Sequence, residues 1–257
     1  MLSLWRTWSD RWPGRCQVCG DWPSQPVCIA CTGRFGAVRW RCQACARPAP
    51  RGQPLCGGCL TQRPWPDLDR CVAAVDYAYP WDALVSRLKF QSEPGWARTM
   101  AALLMNNPGV RHLLAQADWI VPVPLSTRRL ADRGYNQAWE IAKSLRVLGR
   151  QRGLSVPAPL AQALVRRGDS PAQHTLDREQ RWRNLRHAFL PHPVHGPRVA
   201  GRRVLLVDDV CTTGATLQRA AHALRKAGAT GVDGLVFART DEAAAHHSPR
   251  PPASLPA

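Results

Sequence analysis

The segment Val204-Leu-Leu-Val-Asp-Asp-Val-Cys-Thr-Thr-Gly-Ala-Thr-Leu217 restricts the fold more than any other part of this chain. Val204 to Val207 is an apolar run of strand length. Asp208 and Asp209 stand at its C-terminal tip, a small-residue loop comes next, and Leu217 to Ala227 has helical spacing that stops at Gly228. α/β proteins build anion sites from this order of parts, at the carboxyl edge of a parallel sheet. Gly214 and Ala215 let the backbone approach an anion. The N–H groups opening the helix point towards it, and Thr212, Thr213 and Thr216 offer hydroxyls. Carboxylates beside such a cradle suit ribose hydroxyls or a Mg²⁺-bearing diphosphate. The blander reading is a strand-turn-helix with an acidic cap.

The rest of the sequence supplies the partners that such a strand needs. Cys71 to Tyr79 reads as a strand, Pro80 to Phe90 as a helix with Leu84, Val85 and Leu88 on one face, and Trp96 to Leu104 as a second helix. Trp119 to Pro124 reads as a short buried strand, Asn136 to Leu148 as a third helix, and Val232 to Ala238 as a late strand. Alternating strands and helices predict an α/β fold, a parallel sheet with helices on both faces. No run of 18 apolar residues exists, so no membrane insertion is expected. The N-terminus has no apolar segment of signal type, and Trp5, Trp8 and Trp12 are expected to pack on the domain after them. From Ala243 onward the Ala-, His- and Pro-rich composition predicts disorder.

Eight of the ten cysteines form four Cys-x-x-Cys knuckles: Cys16/Cys19, Cys28/Cys31, Cys42/Cys45 and Cys56/Cys59. Two thiolates at this spacing grip one face of a tetrahedral Zn²⁺, and a second knuckle completes the site. Disulfides would need an oxidising compartment, and the absence of an export signal points to the cytoplasm. Residues 15–60 have little apolar periodicity and need a staple. Two structural zinc ions are therefore expected. The two halves look like degenerate copies, which favours sequential over interleaved pairing. Cys71 opens a strand-like run and reads as core, and Cys211, with no paired base evident, reads as a small loop filler. The implied organisation is a zinc-ribbon module over 1–65, an α/β domain over 66–242 and a tail over 243–257, with 61–66 as linker.

Two further segments are rich in basic residues. Val121-Pro-Val-Pro124 leads into Leu125-Ser-Thr-Arg-Arg-Leu-Ala-Asp-Arg-Gly-Tyr-Asn-Gln137, read as a loop in which Ser126, Arg128, Arg129 and Arg133 meet a diphosphate. Arg166 and Arg167 head a polar loop, and Arg178, Arg181 and Asn184 share a helical face, either of a plain exposed helix or of a mobile loop that closes over the diphosphate. The net charge of +17 suggests a polyanionic partner, although only Lys89, Lys143 and Lys226 are lysines and part of the excess reflects a general bias to Arg. Trp22, Phe35, Trp40 and Trp65 suit stacking with single-stranded DNA, or else packing between the knuckles. On this reading the α/β domain keeps its ligand site when residues 1–65 are removed.

Asp208 to Thr216 resembles the phosphoribosyl-pyrophosphate (PRPP) motif of type I phosphoribosyltransferases. The resemblance implies that Asp208 and Asp209 hold the ribose hydroxyls at the catalytic centre. Thr212, Thr213, Gly214, Ala215 and Thr216 would then hold the 5′-phosphate. Together with the knuckles, Val121 to Pro124, Arg133 to Gln137 and the Gln173/Arg181/Asn184 region, it is similar to the competence-associated ComF family over almost the whole chain. That implies a type I phosphoribosyltransferase-like fold behind a zinc ribbon, PRPP with Mg²⁺ as ligand, and a role in DNA uptake alongside that machinery's proteins. An enzyme with an unknown acceptor, a PRPP-binding adaptor and a non-catalytic PRPP-sensing regulator all fit. Cys16 belongs to a knuckle, which argues against a glutaminase nucleophile.

Overall fold

The computed structural model describes residues 14–22, 24–61, 65–167 and 188–241. The N-terminal tryptophans, the Pro-rich tail, residues 62–64 of the linker and the shared face of Arg178, Arg181 and Asn184 lie outside the described residues.

Four parallel strands form the main sheet, in the order β1 (Arg70–Asp76), β6 (Gly231–Arg239), β5 (Arg203–Cys211) and β2 (Trp119–Pro122). Strand β5 sits between β6 and β2, with Val204 opposite Val232 on one side and Trp119 on the other. Its side chains alternate between two cores. Leu205 and Val207 join Phe237, Leu104, Ile141 and Leu145 on one face, and Val204 and Leu206 join Val236, Ala220 and Leu224 on the other. This explains why the strand reads as an unbroken apolar run. Strand β5 also extends past the expected end at Val207, so both aspartates are strand residues.

The first face is covered by α3 (Trp81–Phe90), α4 (Trp96–Asn106), α5 (Pro108–Gln116) and α7 (Gln137–Gln151). The second carries α8 (Ala215–Lys226) and an antiparallel pair, β3 (Leu164–Arg166) with β4 (Phe189–Pro191). Neither α5 nor that pair was expected from the sequence. Helix α5 opens on the Asn107 side chain, which accepts the Gly109 N–H, with Pro108 at its first position.

The cysteine-rich segment packs directly on the sheet rather than standing apart. It carries α1 (Ile29–Phe35) and α2 (Gly57–Thr61). Cys16, Val27 and Cys31 belong to the first core, and Cys42, Cys45, Ala46 and Cys59 to the second. The Phe35 carbonyl accepts from Trp81 Nε1 at 2.9 Å, and the Gln43 carbonyl accepts from the Cys71 N–H at 2.8 Å. Arg39 and Arg41 both pair with Asp76, at 2.9 and 2.7 Å.

Helix α7 shows how tightly the first core is filled. A Cβ on Gly149 would lie 2.3 Å from Val156 Cγ2. Gly149→Ala gains about 1 kcal/mol of helix propensity, yet overpacking of this degree costs about 1–3 kcal/mol. Chemical denaturation is expected to show Gly149→Ala destabilised, with part of the loss restored in Gly149→Ala/Val156→Ala. A single variant as stable as the wild type would contradict this packing.

Candidate functional site

A cleft of about 640 Å³ opens at the carboxyl ends of β5 and β2. Open parallel sheets place ligands at this edge, where strands hand over to loops. Asp208, Asp209 and Val210 form its floor, and Val123 and Leu125 come from the exit of β2. Thr212 and Thr216 stand on one side. Arg129, Asp132, Arg133, Gln137, Lys89, Phe90, Ser92 and Arg166 complete the lining.

Both aspartates are nearly buried. Burial pushes the Asp208 carboxyl well up from the usual range, and the neighbouring Asp209 charge pushes it further. Its Oδ1 accepts the Asp209 N–H at 2.9 Å. Lys89 Nζ pairs with Asp209 Oδ2 at 2.9 Å. An acidic pair held out of water beside one lysine is strained unless hydroxyls or cations meet it.

The loop after β5 is held in shape from within. The Thr213 hydroxyl accepts the Ala215 N–H at 3.3 Å, and Gly214 adopts a left-handed φ of 86° as the residue before α8. The Trp65 indole lies so close that a Cβ on Gly214 would be 1.8 Å from its Cζ2. Only glycine meets both demands. Thr213, Gly214 and Ala215 therefore build the turn, while Thr212 and Thr216 reach the cleft.

The segment predicted as a diphosphate loop is largely helical, and this corrects the sequence reading. Ser126 is buried and caps α6 (Thr127–Arg133), its hydroxyl accepting the Arg129 N–H. A serine before a helical stretch is a cap signal that the diphosphate reading passed over. The helix turns Arg129 and Arg133 into the cleft. Arg128 points away, exposed and facing Asp132 at 3.9 Å.

The next residues fix the geometry of that wall. Gly134 ends α6 with φ of 79°. The Tyr135 hydroxyl donates to the Leu88 carbonyl and so anchors the end of α3. Asn136 caps α7 through Oδ1, and its Nδ2 donates to the Val123 carbonyl at 3.0 Å. Gln137 Oε1 accepts from Arg133 Nη1.

Sequence reasoning missed Lys89 and Phe90. Phe90 is 74% exposed at the rim of the cleft, with the Arg133 guanidinium 5.5 Å from its ring centre. An exposed aromatic closing an amphipathic helix, next to one of three lysines in the chain, was the available signal.

Away from the cleft, the cysteine sulfurs gather in the sequential sets, Cys16, Cys19, Cys28, Cys31 and Cys42, Cys45, Cys56, Cys59, with all sulfurs of a set within 4.8 Å of one another. Cys19 and Cys28 Sγ are 3.7 Å apart, and Cys45 and Cys56 Sγ are 3.6 Å apart. A tetrahedron with Zn–S bonds near 2.3 Å has edges of about 3.8 Å, so either set fits such an ion. Burial pushes the Cys16 thiol up, but N–H groups of Cys28, Cys19 and Val18 outweigh it and bring it down to about 6. Cys42 shows the same pattern, down to about 7, through Cys56, Cys45 and Ala44.

The sets repeat in backbone detail. The Cys16 N–H meets the Asp21 carbonyl and the Cys42 N–H meets the Arg47 carbonyl, while Gln17 meets Pro26 as Gln43 meets Pro54. Gly20 turns at φ 82°, and Ala46 takes the matching place at φ 58°. Of the two remaining thiols, burial pushes Cys211 up to about 11 and Cys71 well above its usual value. Neither is a nucleophile at neutral pH.

Known proteins match this chain in two ways. A phosphoribosyl transferase domain profile matches residues 131–250. The DNA utilization protein YhgH of Escherichia coli (strain K12) is 34% identical over 240 residues, spanning 89% of this chain and 98% of that protein. Competence protein F of Haemophilus influenzae is 34% identical over 206 residues, spanning 79% of this chain and 85% of its own. Among solved structures, an allosteric regulatory enzyme of purine biosynthesis overlaps 55% of this chain and 24% of its own at 24% identity, with a TM-score of 0.33, too low to carry any argument. Relatives of such identity, aligned along most of both chains, establish that this protein belongs to the ComF family, whose phosphoribosyltransferase-like fold and paired cysteine clusters it shares.

Proposed function

We propose that the cleft binds PRPP together with Mg²⁺. The observation that carries this reading is the meeting of a buried carboxylate pair, a hydroxyl-bearing phosphate turn and two helix-borne arginines in one cavity. Asp208 and Asp209 hold the ribose hydroxyls, which relieves the strain between them. The turn from Thr212 to Thr216 receives the 5′-phosphate, with its N–H groups and hydroxyls as donors. Arg129 and Arg133 face the diphosphate and neutralise charge that builds on a departing pyrophosphate. When bound, Mg²⁺ adds positive charge to the diphosphate beside the two aspartates. Phosphoribosyl transfer is the chemistry such a site supports, and the aspartates orient rather than act as bases.

The acidic pair sets the test. Asp208 is held above its ordinary range, so the fold is penalised at any pH above the unfolded value near 4. The penalty disappears in acid, where the unfolded carboxyl is itself protonated. Asp208→Asn keeps the acceptor for the Asp209 N–H and removes the charge. It is expected to raise the Tm by about 2–4 °C at pH 7.5, as ~1 kcal/mol would in a domain of this size, and to give no gain near pH 3.5. Calorimetry on the same variant should show PRPP affinity reduced at least about tenfold, and Asp208→Ala/Asp209→Ala should abolish it. Unchanged affinity in the double variant would sink the PRPP reading.

Both cysteine sets suit zinc, and residues 1–65 form the module that carries them, ahead of the domain over 66–242. Thiolate sites also require a reducing compartment, which supports a cytoplasmic setting. Elemental analysis of protein purified without added metal is expected to give two Zn²⁺ per chain. A zinc content near zero with eight reactive thiols would contradict it.

The names of the relatives support a place in DNA uptake or use. Of the four aromatics considered for stacking, Trp22 and Trp40 stay exposed. Trp65 is buried, and Phe35 packs edge-on against Tyr79 at 5.6 Å. Single-stranded DNA is therefore proposed to meet Trp22 and Trp40, with arginines on its phosphates. Gel retardation should weaken steeply with salt, and Trp22→Ala/Trp40→Ala should lose about 1–3 kcal/mol per stacked base. Retardation unaffected by this double change would remove the module from the DNA surface.

A further inference from the structure

Arg239, the last residue of β6, is 1% exposed, and its hydrogen bonds go to neutral oxygens rather than to a carboxylate. Its Nε donates to the Cys45 carbonyl at 2.9 Å. Its Nη1 faces the Cys211 carbonyl at 2.9 Å, and also the carbonyls of Thr212 and Thr240. Nη2 is buried with no hydrogen-bond partner among the described residues. A guanidinium taken out of water in this way costs several kcal/mol unless negative charge lies near. Four thiolates around one divalent cation carry a net charge of −2, and Cys45 is one of the four. The second cysteine set is therefore the counter-charge at hand.

A second contact runs in parallel. Trp65 comes just after the cysteine-rich segment and is 8% exposed. The Arg239 guanidinium lies 5.9 Å from its ring centre, and the six-membered ring of the indole presses on Gly214. The backbone of the turn at Thr212 and Gly214 thus rests on two side chains: Arg239, tied to the second set through the Cys45 carbonyl, and Trp65, buried in the same core as Cys42, Cys45 and Cys59. The first set makes its contacts elsewhere, through Gln17 to Arg87 and through the Phe35 carbonyl to Trp81.

We propose that the second cysteine set, acting through Arg239 and Trp65 as positioning residues, holds the phosphate turn Thr212–Thr216 in its binding shape. Metal at Cys42, Cys45, Cys56 and Cys59 is then a requirement for ribose-phosphate affinity, not only for folding. The inference rests on the reading of that turn as the 5′-phosphate site. It reverses the expectation that the site survives removal of residues 1–65.

The experiment compares two probes on the full chain: ribose 5-phosphate, which meets the turn, and pyrophosphate with Mg²⁺, which meets Arg129 and Arg133. Cys56→Ser is expected to lose one metal per chain and to weaken ribose 5-phosphate by about tenfold or more, the size of a lost hydrogen bond to a charged group. Pyrophosphate affinity should stay within about twofold of wild type. Cys28→Ser, the matching change in the first set, should lose one metal and show no such split. Arg239→Lys should keep both metals and show the same split as Cys56→Ser, because an ammonium cannot reach both the Cys45 and Thr212 carbonyls.

Equal losses for both probes in Cys56→Ser and Arg239→Lys, or no loss in either, would overturn the proposal. An Arg239→Lys chain that fails to fold would overturn it too, since the residue would then serve the whole fold rather than the turn. A wild-type chain that binds pyrophosphate but neither ribose 5-phosphate nor PRPP would bring down the reading of the turn itself. A wild type that binds both, with variants that match it, would remove the coupling alone.

Discussion

The burial of two adjacent carboxylates at the end of the central strand is the constraint on which the rest of the structure depends. Strand β5 is apolar on both faces up to Val207, which forces helices onto both sides of the sheet. Continuing the same strand through Asp208 and Asp209 carries charge into a place that apolar packing alone could not hold. The surroundings answer with cations from separate elements: Lys89 at the end of α3, Arg129 and Arg133 on α6, and Arg166 at the end of β3. Each element must be placed to within a hydrogen bond for this to work. Tyr135, Asn136 and Gln137 supply that precision by joining α3, β2 and α6 at one corner. Tyr135 and Asn136 thus act as the frame for the residues that face the cleft, and Gln137 both frames and lines it.

How much of the molecule was legible in the sequence depends on how local each signal is. The central strand, the helix after the turn and the four knuckles carry their information within a few residues, and they appear where expected, except that the strand runs on past Val207. Helix α6 was missed because its only buried anchor is the Ser126 cap; no residue of the helix itself is buried, so no apolar period marks it. The pairing of β3 with β4 spans a long separation in sequence, and three-residue strands have no readable period. Lys89 and Phe90 were missed for another reason. They close a helix whose apolar stripe was read correctly, and their contact with the acidic strand depends on the tertiary fold. The turn itself was legible as a glycine-bearing loop, but the reason for Gly214 includes an indole from residue 65, which no local pattern shows.

The two cysteine sets illustrate how a repeat diverges when its copies meet different neighbours. Both halves keep the same knuckle hydrogen bonds. The first copy uses glycine at its left-handed turn and the second uses Ala46, which is buried in the second core. Alanine at positive φ carries a backbone cost of about 1–2 kcal/mol, and its burial against the sheet offsets part of that. The first copy instead leaves Cys19 and Gly20 exposed. The second half has therefore become part of the α/β core, whereas the first retains a solvent face. This asymmetry makes a single description of residues 1–65 as a separable unit too simple on physical grounds.

The net charge poses a question that the cleft does not answer. Subtracting 18 acidic from 35 basic residues leaves 17 positive charges unmatched anywhere in the chain. The cleft lining contains four cations, Lys89, Arg129, Arg133 and Arg166, against three carboxylates, Asp132, Asp208 and Asp209. With every group counted at its formal charge, the local excess is a single charge. At physiological ionic strength, interactions between exposed charges fade beyond about 8 Å. Arginines elsewhere on the surface therefore contribute little to holding a small phosphate ester in the cleft. Several of them are matched locally, as Arg70 and Arg203 are by Asp233 at 3.0 Å each. The remaining excess can act only on a ligand that extends past one screening length and meets many arginines at once. A flexible polyanion meets that condition, and PRPP does not. On the proposed reading, a short phosphate ester accounts for the charges of the cleft and leaves the rest of the excess without a role there.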